Sequence, residues 1–133
     1  AEPVRDVVPG DDPEDSGQKG ISYRTQPVHP RTQLTVREPH TPTLKVADDE
    51  TVWLRVVSAA DKPRNHTFTI HGVSWPSAPR PGAGPRAGAV GGITAGSAHD
   101  LVFEVEARGD HAYRSGVFRW AVEQGMWGIL RVR

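Results

Sequence analysis

Six histidines and a single methionine carry most of the ligand chemistry in this chain of 133 residues, which has no cysteine. The histidines are His29, His40, His66, His71, His99 and His111, and the methionine is Met126. Imidazole and thioether suit copper and other soft or borderline metals. Without cysteine there is no disulfide, thiolate zinc site, iron–sulfur cluster or nucleophilic thiol. His66 and His71 fall in one strand-like run, five residues apart. Side chains alternate along a strand, so an odd separation puts the two rings on opposite faces. They do not share one metal there unless a bulge intervenes. His29 and His40 lie in proline-flanked segments and His99 is expected just before a strand. All three read as exposed or hydrogen-bonded structural histidines. Other chemistry is missing: there is no Gly-x-Ser-x-Gly, P-loop, HExxH or EF-hand pattern. The carboxylates form no evident acid–base pair. Asn65-His66-Thr67 fits a glycosylation sequon, a match common by chance.

The elements that must hold these side chains are short strands. In residues 51–58, Val52, Leu54 and Val56 share one face, and Trp53, Arg55 and Val57 the other. In residues 66–71, His66 lies with Phe68 and Ile70. Residues 101–106 alternate with Leu101, Phe103 and Val105 inward. A Gly109-Asp110 turn leads into residues 111–114, and residues 128–133 form the last strand. Weaker candidates are residues 21–25, 33–37 and 43–46. Only residues 116–124 could hold a helical turn. The four tryptophans, Trp53, Trp75, Trp120 and Trp127, read as core or loop anchors. Short strands punctuated by Gly, Pro and Asp predict an all-β antiparallel sandwich or barrel.

Composition closes off further classes. Sixteen Lys+Arg balance sixteen Asp+Glu, so there is no net basic field for nucleic acid and no polybasic membrane patch. No apolar run approaches the ~18 residues of a membrane span. Residues 1–19 are acidic and rich in Pro and Gly, and predict a linker or arm ahead of one domain over residues 20–133. They hold no leader pattern. A first residue other than Met fits a processed form or a piece of a longer protein. Residues 76–92, PSAPRPGAGPRAGAVGG, predict a long surface loop without regular structure.

Two segments resemble the multicopper oxidases. Residues 65–75, NHTFTIHGVSW, are similar to that family's histidine strand, His-Pro-x-His-x-His-Gly. Residues 109–132, GDHAYRSGVFRWAVEQGMWGILRV, resemble its closing element, in which a strand leads to a Cys-containing loop, then Gly-Met, then a final strand. The resemblance spans residues 43–133 and implies a cupredoxin-like Greek-key β-sandwich. It places His66 at a type 1 copper ligand and His71 at the position facing the trinuclear cluster, with Thr69 where the intervening histidine stands. Met126 keeps the axial position. Gly116, with Ser115 beside it, occupies the place of the cysteine, and Ala121 that of the second type 1 histidine. Most of the copper ligands are therefore missing.

The resemblance leaves three readings. One is a degenerate, copper-free domain with a structural or interaction role, partnered by other cupredoxin domains or subunits of a larger oxidase. Another is a domain of an active oxidase whose copper lies in other domains or a partner. The third is a small non-blue copper-binding protein using His66, His71 and Met126, with His111 as a further donor. None predicts catalysis by the isolated chain. The family's bacterial members usually act outside the cytoplasm, so the resemblance implies an extracytoplasmic location.

Overall fold

Apolar side chains at every second position force strands to pair and close around one core, and the computed structural model shows how. It describes residues 21, 39–58, 65–77, 84–122 and 125–133. The strands are β1 (Thr43–Val46), β2 (Val52–Val57), β3 (His66–Ile70), β4 (Trp75–Pro76), β5 (Arg86–Ala87), β6 (Ala89–Ile93), β7 (Ala98–Phe103), β8 (Gly109–Ser115) and β9 (Trp127–Val132). One short helix, α1 (Phe118–Val122), lies between β8 and β9.

A five-stranded sheet runs in the order β1-β9-β8-β3-β6, and β2 pairs with β7 in a second sheet. β1 and β9 are parallel, while the other ladders are antiparallel. The inner faces of the two sheets meet in one core. Phe68, Ile70, Tyr113, Leu130 and Val132 come from the large sheet, and Leu101 and Phe103 from β7, with Val52, Leu54 and Val56 of β2 packed against them. The alternation expected for β2 is what forms: Val52, Leu54 and Val56 are half-buried, and the residues between them exposed. The expected strands at residues 43–46, 66–71, 111–114 and 128–133 and the helical turn within 116–124 are present to within a residue or two of their ends, but Gly109-Asp110 is not a turn: both residues pair with β9 and begin β8. The fold is an all-β sandwich.

Three further expectations need correction, and another three lie wholly or partly outside the described residues. Residues 76–92 are not one irregular loop. Trp75–Pro76 pairs with Arg86–Ala87, and Ser77 N–H donates to the Pro85 carbonyl at 2.9 Å. Ala89–Ile93 then joins the large sheet as its edge strand. A ladder is made by backbone groups, so glycine weakens a strand without forbidding one. Here the glycines serve a bulge. His66 faces Ile93 while Phe68 faces Val90, so three steps along β6 match two along β3. Gly92 takes up the difference at φ 72°, a conformation open to glycine. His99 lies within β7 rather than before it. Trp53 is no core or loop anchor: it is 72% exposed, because alternation turns it outward from β2. Trp75 is buried, whereas Trp120 and Trp127 are half-buried. The arm at 1–19 and the weak strand at 33–37 lie outside the described residues, as does all of 21–25 except Ile21, which packs against the core.

Candidate functional site

The β3 strand begins at one end of the sandwich with His66, whose ring turns inward with Phe68 and Ile70 and is buried. Three further segments reach the same end. β8 finishes at Ser115, which lies opposite Phe68 on the neighbouring strand. The loop and α1 follow, and the chain returns through Met126 into β9.

Backbone hydrogen bonds fix this loop. Gly116 N–H donates to Thr67 C=O at 3.0 Å and Ser115 N–H to Met126 C=O at 3.0 Å. Met126 N–H donates to Trp120 C=O at 2.9 Å. Gly125, at φ 76°, turns the chain back between α1 and β9. The structure therefore brings His66, Ser115, Gly116, Trp120, Ala121 and Met126 to one end of the sandwich.

Which of these side chains face inward is set by alternation along β8. Tyr113 and Ser115 point into the core and are buried, while Gly116 is exposed. Ser115 Oγ accepts a hydrogen bond from Val117 N–H at 3.2 Å. Position 116 has no room for a side chain. A β-carbon there would overlap Thr67 Oγ1 and lie 2.8 Å from Thr67 Cβ. Ala121 is buried at 1% exposure. The ring that meets His66 belongs to its neighbour: the Trp120 and His66 ring centroids are 5.1 Å apart at an interplanar angle of 49°. Sequence reasoning passed over Thr67 and Trp120. The period of two along β8, carried one residue further, would have pointed to Ser115.

His71 belongs to a different place. It follows the far end of β3, about 16 Å along the strand from His66 at the usual strand rise, and is exposed. Its Nε2 accepts a hydrogen bond from Arg114 Nε at 2.7 Å. His111 lies beside it. His111 Nδ1 is 3.0 Å from the His71 carbonyl and Nε2 is 2.8 Å from the Ala107 carbonyl. Backbone oxygens thus face both His111 nitrogens, which leaves neither presented to a metal.

The donor set does not fit the copper that a cupredoxin fold can hold. Such a site requires a thiolate, two imidazoles and a weak axial ligand. The inward positions at this end carry one imidazole, a hydroxyl and an indole, with the thioether of Met126 in the loop. An indole has no lone pair to give, and a serine hydroxyl is a poor soft donor. Among the described residues, no group of three or more His, Cys, Asp or Glu side chains gathers where it could hold a metal ion.

Comparison with known proteins agrees with the fold. No protein-family model and no curated protein matches the sequence. Solved structures do match. One is a multicopper oxidase at TM-score 0.57 and 18% identity, over 68% of this chain and 32% of that one. Another is a multi-copper oxidase from Pediococcus acidilactici, at TM-score 0.56 and 15% identity, over 68% of this chain and 20% of that one. Auracyanin B aligns at TM-score 0.45 and 18% identity, over 68% of this chain and 76% of that one. The match thus spans about a third and a fifth of the two oxidases. At such identities the likeness is one of fold, and the chain folds as a cupredoxin-like domain. No helix among the described residues is long and apolar enough to cross a membrane.

Proposed function

We propose that this chain is a copper-free cupredoxin-like domain with a structural or interaction role in a larger oxidase-like protein or assembly. One observation carries the reading. Ser115 faces inward opposite Phe68 and the ring of Trp120 packs on His66, and neither side chain can supply the thiolate or the second imidazole that a type 1 copper site needs. The loop that would carry those ligands is kept, and backbone bonds and packing hold it closed. Its partners are other cupredoxin domains or subunits of that assembly, at an extracytoplasmic location. The extra length of the two oxidases beyond the matched region supports a domain that works beside others.

The test is copper stoichiometry of the purified chain, by elemental analysis with electron paramagnetic resonance, before and after loading with Cu(II) and removal of excess. Near-zero copper in both states is the expected result. One copper per chain with a non-blue spectrum, lost in His66→Ala, would overturn the reading. His66, His71 and Met126 would then be the residues to examine as ligands.

A further inference from the structure

The small sheet turns Val52, Leu54 and Val56 of β2 and Leu101 and Phe103 of β7 inward to the core. Its opposite face is exposed, and the ladder sets the residues there in rows: Trp53 beside Val102, Arg55 beside Asp100, and Val57 beside Ala98. Trp53 is 72% exposed and Val57 60%. Ala98 and Asp100 are exposed and Val102 is half-buried. Arg55 Nε and Nη2 donate to the two Asp100 carboxylate oxygens at 2.6 and 2.8 Å. Beyond Trp53, Thr51 Oγ1 donates to Glu104 Oε1 at 3.4 Å. A charged row thus lies between two apolar rows, with a polar edge at one end.

Alternation normally leaves polar side chains on the solvated face of an antiparallel pair. A tryptophan and a valine this exposed, in line on one strand, mark a contact surface. We propose that this face docks on the same face of a second copy of the chain, with the two-fold axis parallel to the strands.

The charged row argues for both the occupant and the axis. Sheets packed face to face commonly keep their strands roughly aligned, so the axis runs either along the strands or across them. An axis across the strands would set Arg55 on Arg55 and Asp100 on Asp100 of the two copies. An axis along them exchanges β2 with β7. Each Arg55 then meets the second copy's Asp100, Trp53 meets Val102, Val57 meets Ala98, and Glu104 meets Thr51 rather than another carboxylate. The pair within one chain leaves further guanidinium N–H groups and carboxylate lone pairs to bond across the axis. An unrelated partner would have to supply both signs of charge and the flanking apolar rows in this order, whereas a second copy supplies them by symmetry. The face is small. Strands of six residues, at about 3.3 Å per residue and about 4.8 Å apart, fall short of the ~800 Å² per partner of a standard interface. Association is therefore weak and grows with concentration. This inference stands apart from the copper reading, and either can fail without the other.

Analytical ultracentrifugation of the full chain tests this. The weight-average mass is expected to rise from one chain toward two as concentration increases. Trp53→Ser should abolish the rise while circular dichroism stays that of the parent, since the side chain lies outside the core. Arg55→Asp and Asp100→Arg should each abolish it too, by setting like charges across the axis. An equimolar mixture of those two variants should associate again, because one offers an all-acidic row and the other an all-basic one. Where either variant alone fails to fold, Arg55→Asp combined with Asp100→Arg in one chain keeps the pair within the sheet and should associate as the parent does. A single chain at every concentration would overturn the proposal. So would a rise that survives Trp53→Ser, or a failure of both the mixture and the combined variant to associate.

Discussion

A β-carbon at position 116 would collide with Thr67 on the neighbouring strand. Overpacking of this kind costs typically ~1–3 kcal/mol. Gly116→Ala should destabilise the domain by about that much, and Thr67→Ala should restore part of the loss by removing Oγ1. A double-mutant cycle read by chemical denaturation checks the coupling, and strictly additive effects would refute the contact. Gly128 is a second close approach. A β-carbon there would run into the Tyr113 ring and lie 2.7 Å from the Pro42 carbonyl oxygen. The loop motif Gly125-Met126-Trp127-Gly128 is thus constrained by backbone shape at both ends, whether or not a metal was ever nearby. Chemistry at the His66 end turns on Ser115 and Trp120, and only the first was within reach of sequence reasoning. Alternation along β8 identifies Ser115. The ring contact of Trp120 depends on how a five-residue helix is set against β3, and no local pattern encodes that.

At the scale of elements, Tyr113 ties β8 to the start of β1. Its hydroxyl donates to the Pro42 carbonyl at 2.7 Å, and the same carbonyl accepts Ile129 N–H at 3.2 Å. Burial pushes the Tyr113 phenol up to about 12 from its ordinary 10. The unfolded chain gives up this proton first as pH rises. Stability from Tyr113 is fully present below pH 10 and is lost as pH climbs through about 12. Alkaline unfolding followed by circular dichroism should therefore set in over that window. Tyr113→Phe should flatten the dependence while costing about 1 kcal/mol near neutral pH through the lost hydrogen bond. An unchanged alkaline profile in that variant would refute the assignment. The strands that could be read from the sequence were those with apolar residues on one face, β2, β3, β7 and β9. β5 and β6 were hidden because glycine, alanine and arginine leave no periodic signal. What makes them strands is the edge offered by β3 and the bulge at Gly92, both of them long-range facts.

At the scale of the whole molecule, three arginine–carboxylate pairs among the described residues join segments well apart in sequence: Arg55–Asp100, Arg108–Asp48 and Arg131–Asp110. In each, the hydrogen bond from the guanidinium holds the aspartate below the usual carboxylate range. A depressed folded value means stability that is present above the unfolded value, about 4, and lost as pH falls through the folded one. The melting temperature should drop as pH is lowered below about 4. Asp110→Asn should make that drop shallower, and calorimetry across the acid range measures both. An equal slope in the variant would show that the Arg131 pair contributes nothing to it. The parallel pairing of β1 with β9 has a consequence of another kind. Thr43 lies against Ile129 and Val46 against Val132, so the first and last strands of the sandwich are neighbours that point the same way. Tension applied at the start of β1 and the end of β9 pulls the two strands along their own axes in opposite directions. The ladder is then loaded in shear, with its hydrogen bonds sharing the force rather than unzipping in turn. Strands paired this way resist a pull along their axes without opening.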